Sequence, residues 1–279
     1  MNPVNFDFHC HSVVSDGLLQ PAELARRAAQ NGVDTWALTD HDDLGGLAAA
    51  ADAAREAGMA FVTGVEISIE WREVPIHIVG LGFDAAHPAL GAGLHDLRLG
   101  RIERARRMSD ALAAISIPGV FEGAMGYAGN PSLISRAHFA RYLVEIGIAK
   151  DVQTVFQYYL TPGKPGYVDH RWATLQDAVA WIKAAGGVAV VAHPARYRIS
   201  NGDLRRFLAE FKDMGGDGIE VVCGSHTAEH VLHFARLARH FDFHASRGSD
   251  FHGPAESYVD LGKLPALPED LKPIWRLLS

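Results

Sequence analysis

The chain has 279 residues, of which 48% are hydrophobic and 21% are charged, a composition typical of soluble globular proteins. This length is enough for one large domain or two modest ones with a sizeable core. The 26 Lys and Arg residues and 33 Asp and Glu residues give a net charge of −7. Attraction of the whole molecule to nucleic acid or to an acidic membrane is therefore not expected, and any anionic ligand must be held locally.

The composition also excludes a disulfide framework and a membrane span. Cys10 and Cys223 are the only cysteines, and the N-terminus MNPVNFDFHCHS lacks the basic and then apolar stretch of a secretion signal. No apolar run approaches the roughly 20 residues needed to cross a bilayer. We therefore expect a cytoplasmic protein with no membrane attachment, and no motif indicates an obligate protein partner.

Short β-branched and aromatic runs alternate with helical patterns in the first third of the chain, which indicates βα winding. Pro21 suits the first position of a helix, and Gly32 and Gly58 follow the ends of two helical patterns. The predicted elements are a strand at 4–8, a helix at 21–31, a strand at 35–38, a helix at 44–57, and strands at 61–65 and 76–81.

The middle of the chain is different, because strand patterns disappear between about 97 and 167. Apolar residues three or four positions apart predict an amphipathic helix over 99–115, and further helices are predicted at 135–146 and 152–160. The winding then resumes with strands at 188–191, 218–222 and 243–246 and with helices at 175–185, 203–214 and 228–240. We therefore predict a parallel α/β barrel in two parts, 1–97 and 168–279, with a helical insertion domain, 98–167, between them.

Imidazole and carboxylate side chains accompany nearly every predicted strand. Because the C-terminal ends of barrel strands form one face, side chains that are scattered along the sequence are expected to meet there. Imidazole and carboxylate ligands without thiolate suit Mn, Fe or Zn. The candidate metal ligands are His9, His11, Asp16, His41, Glu66, His77, His193, Asp250 and His252.

The first motif, DFHCHSVVSDG, has an internal order, because alternate residues of a strand share one face. His9 and His11 are therefore expected to point to one side, and Cys10 to the other side, into the core. Asp16 follows in a turn and is expected to bend back over the site. Asp40 is expected to orient a ligand rather than to bind metal itself.

The number of candidate ligands predicts the number of ions. One zinc-like ion takes three or four protein ligands, so this set suits three ions if a carboxylate bridges two of them. We predict three divalent ions, most simply Mn, with Fe, Zn and Mg as alternatives. The predicted groups are His9, His11, Glu66 and Asp250; Glu66, His77 and His193; and Asp16, His41 and His252. For a single histidine such as His77 an ordinary core or surface role is the alternative, but the whole set at strand ends is improbable by chance.

Two other clusters are predicted to be solvated helix faces. One is a row of histidines, His226, His230 and His233, which lacks a matching carboxylate pattern. The other is an arginine cluster, for which attraction of an RNA tail is the alternative. Its members are Arg101, Arg104, Arg106 and Arg107.

Five motifs in chain order, DFHCHSVVSDG, TDHD, GVEIS, AHPAR and SDFH, resemble the PHP (polymerase and histidinol phosphatase) family of metal-dependent phosphoesterases. The resemblance covers both barrel parts and implies a distorted (β/α)7 barrel with a trinuclear metal site. The candidate ligands named above match the ligand motifs of the family one by one.

Within the family, SRAHFARYLVEIG, the GKPGYV loop and the Arg after AHPA resemble the subgroup that hydrolyses 3′,5′-nucleoside bisphosphates at the 3′-phosphate. Some members of that subgroup also trim short RNA from the 5′ end. Histidinol phosphatases lack this insertion pattern, and the PHP modules of replicative polymerases belong to far longer chains. The resemblance thus implies a small-molecule nucleotide substrate, with short RNA as a further one.

The residues of these extra motifs are candidate phosphate contacts. Ser135 is predicted to cap an insertion helix, which places Arg136 and His138 at its positive start. Lys164 stands in a stiff exposed turn, and Arg196 follows His193 by three residues, so that its guanidinium can fork onto a phosphate. An ordinary surface salt bridge is the alternative for each of them.

The predicted reaction is in-line attack on phosphorus by a metal-activated water. The predicted catalytic residues are Asp250, which takes the proton of the attacking water, and His193 and His252, since a metal or a nearby histidine assists the leaving 3′-oxygen. Two other functions stay open at this point. One is another small-molecule phosphatase, such as a histidinol phosphatase, and the other is a non-catalytic metal-binding scaffold.

Overall fold

The structure is a computed structural model that describes residues 4–278. One sheet contains seven strands in the order β1 to β7. They are β1 (Phe6–Asp7), β2 (Thr35–Leu38), β3 (Ala60–Trp71), β4 (Val74–Leu81), β5 (Val188–Val191), β6 (Gly218–Cys223) and β7 (His244–Gly248). The N–H of Phe8 donates to the carbonyl of Arg247 at 3.1 Å, and Cys10 pairs with Phe251. These contacts bring the two edges together into a nearly closed barrel, which confirms the predicted distorted barrel fold.

Helices surround the barrel and fill the segment between β4 and β5. Helix α1 begins with Pro21, and Gln20 and Glu23 close its start with a reciprocal pair of hydrogen bonds. The helices are α1 (Pro21–Gln30), α2 (Leu47–Glu56), α3 (Pro88–Arg98), α4 (Arg101–Ala113), α5 (Val120–Tyr127), α6 (Arg136–Glu145), α7 (Val152–Val155), α8 (Leu175–Ala184), α9 (Asn201–Asp213) and α10 (Ala228–His240). Among residues 4–278, no helix has the length and apolar character needed to cross a bilayer.

The prediction of an all-parallel barrel was wrong at one strand. β3 and β4 form an antiparallel hairpin in which Trp71 pairs with Val74, and β4 is also antiparallel to β5. The turn residues Arg72 and Glu73 have φ angles of 50° and 66°, the positive values that a two-residue type I′ turn requires. Neither residue is the Gly or Asn that usually marks such a turn, so the sequence did not reveal the reversal.

The segment between β4 and β5 is helical, as predicted, although α3 and α5 were not predicted. It has an apolar cluster of its own, separate from the clusters that line the barrel. Buried members of this cluster include Leu112, Val120, Phe139, Leu143 and Leu160. The segment therefore packs around its own core, and the boundaries predicted at 97/98 and 167/168 stay predictions.

Cys10 lies in the barrel core, as predicted. Its Sγ donates to the carbonyl oxygen of Ala37 at 3.4 Å and accepts from Trp36 Nε1 at 3.2 Å. Side chains continue to alternate in direction beyond the end of β1. The thiol of Cys10 therefore points into the core, whereas His9 and His11 point to the opposite side of the chain.

The histidine row near α10 is not a single helix face. His226 precedes the helix, with its Nδ1 3.0 Å from the carbonyl oxygen of Val221 and its ring stacked on Phe234. His230 accepts from the N–H of Thr227 at the helix start. The prediction of a solvated helix face was therefore wrong for His226, which lies before the helix and packs against Phe234.

Candidate metal centre

The candidate ligand residues meet at one end of the barrel. Their side-chain nitrogen and oxygen atoms form four overlapping groups, and the atoms of each group lie within 4.8 Å of one another. The groups are His9, His11 and Asp250; His9, Glu66 and His193; His41, Glu66 and His77; and His11, Asp16, His41 and His252. Fold topology therefore brings together every residue of the predicted ligand set.

Most of these residues follow the C-terminal ends of parallel strands. His41 comes after β2, His193 after β5, and Asp250 after β7. The sequence pattern placed His77 at a strand end, but His77 lies in the first half of β4. It reaches the same end of the barrel because β4 runs in the opposite direction. Glu66 lies inside β3, which continues past this end of the barrel into the hairpin. Glu66 pairs there with His41, three residues after the end of β2.

Glu66 is the centre of the cluster. Although burial opposes ionisation, the facing histidines hold the pKa of this carboxyl well below its usual range. Imidazoles lie close to both of its oxygens, which is the arrangement that a bridging carboxylate needs. Oε1 lies 2.9 Å from His77 Nδ1 and 2.8 Å from His193 Nε2, and Oε2 lies 3.3 Å from His9 Nε2, 3.2 Å from His11 Nε2 and 3.1 Å from His41 Nδ1.

Asp250 joins the cluster from the opposite side. Its Oδ1 lies 3.2 Å from His11 Nε2 and 3.5 Å from His252 Nδ1, and its Oδ2 pairs with the guanidinium of Arg196. Burial opposes ionisation, but Arg196 and the histidines hold the pKa of Asp250 well below its usual range. The φ angles of His193 and Asp250 are 24° and 53°. Such backbone strain costs about 1–3 kcal/mol per residue and is typical of functional sites.

The donor set fits divalent cations. Asp16 Oδ1, Glu66 Oε2 and Asp250 Oδ1 are buried and have no hydrogen-bond partner within the described part of the chain. A buried acceptor without a donor costs free energy unless another positive group satisfies it. Divalent metal ions satisfy buried carboxylate oxygens that converge with imidazole nitrogens.

Two buried carboxylates support the cluster from behind. Asp40 accepts from the N–H and Oγ of Ser12 at 2.7 and 2.6 Å and from Ser15 Oγ at 2.6 Å, which holds the loop that leads to Asp16. This agrees with the orienting role predicted for Asp40.

Glu220 in β6 is the second of these supporting carboxylates, and its role was not predicted from the sequence. Its Oε1 lies 2.8 Å from His9 Nδ1, and its Oε2 accepts from the N–H of His193 at 2.5 Å. A carboxylate acceptor requires the proton of His9 on Nδ1, which leaves Nε2 free to face the cluster. A lone carboxylate inside the apolar run GIEVVC was the available signal in the sequence.

A cavity of about 590 Å³ lies between the cluster and the helical segment. On the barrel side its wall contains Asp16, His41, His77, His193, Arg196, Asp250 and His252. On the side of the segment its wall contains Arg101, Arg104, Ser135, Arg136, Val152 and Phe156. The cavity therefore has one wall of imidazoles and carboxylates and a second wall with several guanidinium groups.

Arg101 and Arg104 were predicted to be solvated, and this prediction was wrong. Each is only 4% exposed, and both guanidinium groups lie over the ring of Trp172, at 4.9 and 5.4 Å from its centroid. Arg106 and Arg107, on the same helix, are exposed as predicted. Helical periodicity separates the polar side from the apolar side, but it does not show that part of the polar side faces a cavity.

Arg104 and Arg136 are cations without a paired anion. Arg101 pairs with Asp42, whereas no carboxylate lies within salt-bridge distance of Arg104 or Arg136 among residues 4–278. Burial, with the charges of Arg136 and Arg101, lowers the pKa of Arg104 to about 9. Burial also lowers the pKa of Arg136. We call Arg101, Arg104 and Arg136 the arginine wall, and an anionic ligand would supply the charge that it lacks.

The other predicted phosphate contacts divide into two groups. Ser135 caps α6 as predicted, and its Oγ lies 3.2 Å from Asp16 Oδ2 on the cavity wall. Arg196 also lines the cavity. His138 is 1% exposed and accepts from the N–H of Ser135 at 3.0 Å, so it lies behind the wall. Lys164 is exposed and is not part of the wall.

Comparison with known sequences agrees with this architecture. The model of the PHP domain family matches residues 7–220. The chain is 52% identical to a 3′,5′-nucleoside bisphosphate phosphatase of Chromobacterium violaceum, over 99% of this chain and 96% of that protein. It is 40% identical to a 5′-3′ exoribonuclease of Escherichia coli, over 98% of this chain and 94% of that protein.

Solved structures show the same fold. An amidohydrolase from Chromobacterium violaceum, solved with sulfate and no metal, has a TM-score of 0.96 at 52% identity and covers 99% of this chain and 96% of its own. A protein from Bifidobacterium adolescentis, described as a metal-dependent phosphoesterase, has a TM-score of 0.81 at 27% identity and covers 97% of this chain and 93% of its own. Sequence and fold together therefore show that the chain belongs to the PHP domain family.

Proposed function

We propose that the protein is a metal-dependent phosphatase that removes the 3′-phosphate of nucleoside 3′,5′-bisphosphates, for example converting adenosine 3′,5′-bisphosphate to AMP and phosphate. One observation carries the proposal: a single cavity has two different walls, the imidazole and carboxylate cluster, which could bind a phosphate through metal ions, and the arginine wall, which could bind one directly. A ligand with two phosphates places one on each wall. The relative from Chromobacterium violaceum, at 52% identity, is named for this activity.

The cluster is proposed to hold three divalent ions, with Glu66 as the bridging carboxylate. Mn is the proposed metal, and Fe, Zn and Mg are the alternatives. Bound divalent ions supply Lewis acidity toward the phosphoryl oxygens and lower the pKa of an attacking water. Asp250, held ionised by Arg196 and the histidines, accepts the proton of that water. The guanidinium of Arg196, which pairs with Asp250 on the cavity wall, would orient the phosphoryl group. His193 and His252, both on the cavity wall, are the candidates to protonate the leaving 3′-oxygen.

Trimming of short RNA from its 5′ end is a second candidate function. The 40% identity to the exoribonuclease of Escherichia coli over nearly the full chain favours it. The same two walls serve this reaction, because a 5′-phosphorylated RNA presents a terminal phosphate and, one nucleotide further, a phosphodiester. Attack by water at that phosphodiester releases a mononucleotide.

A hydrolysis panel with the Mn-loaded protein tests the proposal. The substrates are adenosine 3′,5′-bisphosphate, histidinol phosphate and a short 5′-phosphorylated RNA, and the readouts are released phosphate and mononucleotide. We expect the highest kcat/KM with the bisphosphate and slower release of mononucleotides from RNA. Preference for histidinol phosphate would show a different small-molecule phosphatase, and metal binding without any turnover would show a scaffold.

A further inference from the structure

We propose that Tyr258 is the platform on which the nucleobase of the substrate stacks. The inference rests on the proposed function, because it concerns the same cavity. The cluster and the arginine wall account for the two phosphates of the ligand, but neither offers a flat apolar surface to the base. Tyr258 lines this cavity and supplies such a surface.

Tyr258 is the most exposed large hydrophobic side chain among the described residues. It is 71% exposed, although it lies on the cavity wall and not on a remote surface. Within residues 4–278, no aromatic ring or cationic group stacks on its ring. The ring is therefore largely open to a ligand.

The other aromatic rings on the cavity wall already have neighbours. Trp172 has guanidinium groups over its ring, and Phe156 has another at 5.7 Å. Tyr197 packs edge-on against His193, and its hydroxyl donates to the carbonyl of Ala192 at 2.8 Å. Among the aromatic rings of Phe, Tyr and Trp on the described cavity wall, Tyr258 is the one with no aromatic or cationic neighbour.

The loop that carries Tyr258 is anchored. Glu256 accepts two hydrogen bonds from Arg141 on α6, both 2.7 Å long. The Oγ of Ser257 accepts from the backbone N–H of His252, a member of the cluster, at 2.7 Å. A ring on an anchored loop loses little conformational entropy when a ligand stacks on it, so more of the contact energy appears as affinity.

Stacking also predicts the kind of specificity. Every base has a π-face, so a stacking platform accepts all bases and depends little on their hydrogen-bonding edges. The protein would then read a nucleotide by its two phosphates and by the presence of a base, and not by the identity of that base. Such recognition suits free bisphosphates and the end of an RNA chain equally.

The test compares two substrates of the Mn-loaded full chain. One is adenosine 3′,5′-bisphosphate, and the other is its abasic analogue, in which hydrogen replaces the base at C1′. We expect Tyr258→Ala to raise the KM of the nucleotide at least about fivefold, with little change in kcat and no change with the abasic analogue. Tyr258→Phe keeps the ring and should keep the wild-type KM. Tyr158→Ala, at a 56% exposed tyrosine outside the cavity, is the matched control and should leave the KM of both substrates unchanged.

The possible failures are distinguishable. An equal change of KM for both substrates, or no change for the nucleotide, overturns the stacking proposal and leaves the phosphatase activity in place. If the wild type hydrolyses neither substrate, the proposed function fails, and stacking is decided by the Kd of AMP and of ribose 5-phosphate from calorimetry. Tighter binding of AMP that disappears in Tyr258→Ala supports stacking. An AMP advantage that persists in the variant, or none in the wild type, overturns it.

Discussion

At the scale of single residues, the site is built from groups in unfavourable surroundings. Among residues 4–278, the buried Arg104 and the half-buried Arg136 have no carboxylate partner, and Asp16 and Asp250 have buried oxygens without a hydrogen-bond donor. Each of these groups costs folding free energy when it is unpaired. Metal ions and phosphates would supply the missing charges, and the relief of this folding cost would then contribute to their binding free energy.

Removing a guanidinium from the arginine wall tests the second phosphate contact. We expect Arg136→Gln to raise the KM of adenosine 3′,5′-bisphosphate about 10- to 100-fold, because a hydrogen bond to a charged group contributes about 1.5–3 kcal/mol. The KM of adenosine 3′-monophosphate, which lacks the 5′-phosphate, should change little. Steady-state kinetics with both substrates measures this, and equal changes would contradict the assignment.

Lys164→Gln is the matched control for that experiment. Lys164 is a cation from the same helical segment, but it is exposed and outside the cavity wall. We expect its removal to leave both KM values near those of the wild type. A rise in KM as large as that of Arg136→Gln would instead support the phosphate contact predicted from the GKPGYV motif.

Glu220 should matter for metal retention. Gln in its place keeps the shape and still accepts from the N–H of His193, but a neutral amide accepts more weakly from His9 Nδ1. Outer partners of this kind change metal affinity about 10- to 100-fold. We expect Glu220→Gln to lose metal at a lower chelator concentration, measured by metal content during competition. Glu103→Gln, at an exposed site on α4, is the control, and identical retention in the two variants would refute the role.

At the scale of elements, helix starts carry part of the site. The N-terminus of α6 places Ser135 beside Asp16 and Arg136 on the cavity wall, while His138 closes the start from behind. The capping pair therefore sets the position of one wall of the cavity relative to the cluster. Burial lowers the pKa of His138 to about 4, so the imidazole is neutral when it accepts the Ser135 N–H.

This cap makes stability depend on pH in a defined direction. The pKa of histidine in an unfolded chain is about 6.5, so below that pH the unfolded chain binds a proton that the folded His138 does not bind. Its stabilising contribution is fully present above pH 6.5 and declines by up to about 3 kcal/mol as the pH falls toward 4. Urea unfolding of metal-free protein across this range should show a smaller decline in His138→Gln. Parallel curves for the two proteins would contradict the assignment.

At the scale of the whole molecule, the helical segment is joined to the barrel by a partly buried ion pair. Arg141 on α6 donates to both oxygens of Glu256, which follows β7, and also to the carbonyl of Asp16 at 2.5 Å. One side chain thus connects the segment to two loops that carry candidate ligands. The cavity exists because these two parts are held face to face.

The ion pair can be measured by a double-mutant cycle. We expect Arg141→Met and Glu256→Gln each to lower the free energy of unfolding by about 2 kcal/mol, because each leaves a partly buried polar partner unsatisfied. The double variant should lose clearly less than the sum, with a coupling energy of about 1 kcal/mol or more. Urea unfolding of the four proteins provides the values, and simple additivity would show that the pair does not couple the two parts.

Local patterns in the sequence determined much of the fold class and of the candidate ligand set. The ligand motifs, the βα alternation, the helical segment and the resemblance to the PHP family, which the comparisons confirm, all depend on residue types at short spacing. The side of the strand that Cys10 occupies also followed from the alternation of neighbouring residues. These features are readable because strand and helix periods are set by the backbone itself.

Only the tertiary structure decided the features that depend on contacts between distant segments. The reversal of β4, which brings His77 to the cluster, was hidden because periodicity shows that a strand exists but not which way it runs. The burial of Arg101 and Arg104 depends on how the segment docks on the barrel, and the role of Glu220 depends on the register of β6 against His9. Helical and strand periods describe one element at a time, whereas these three facts are relations between elements.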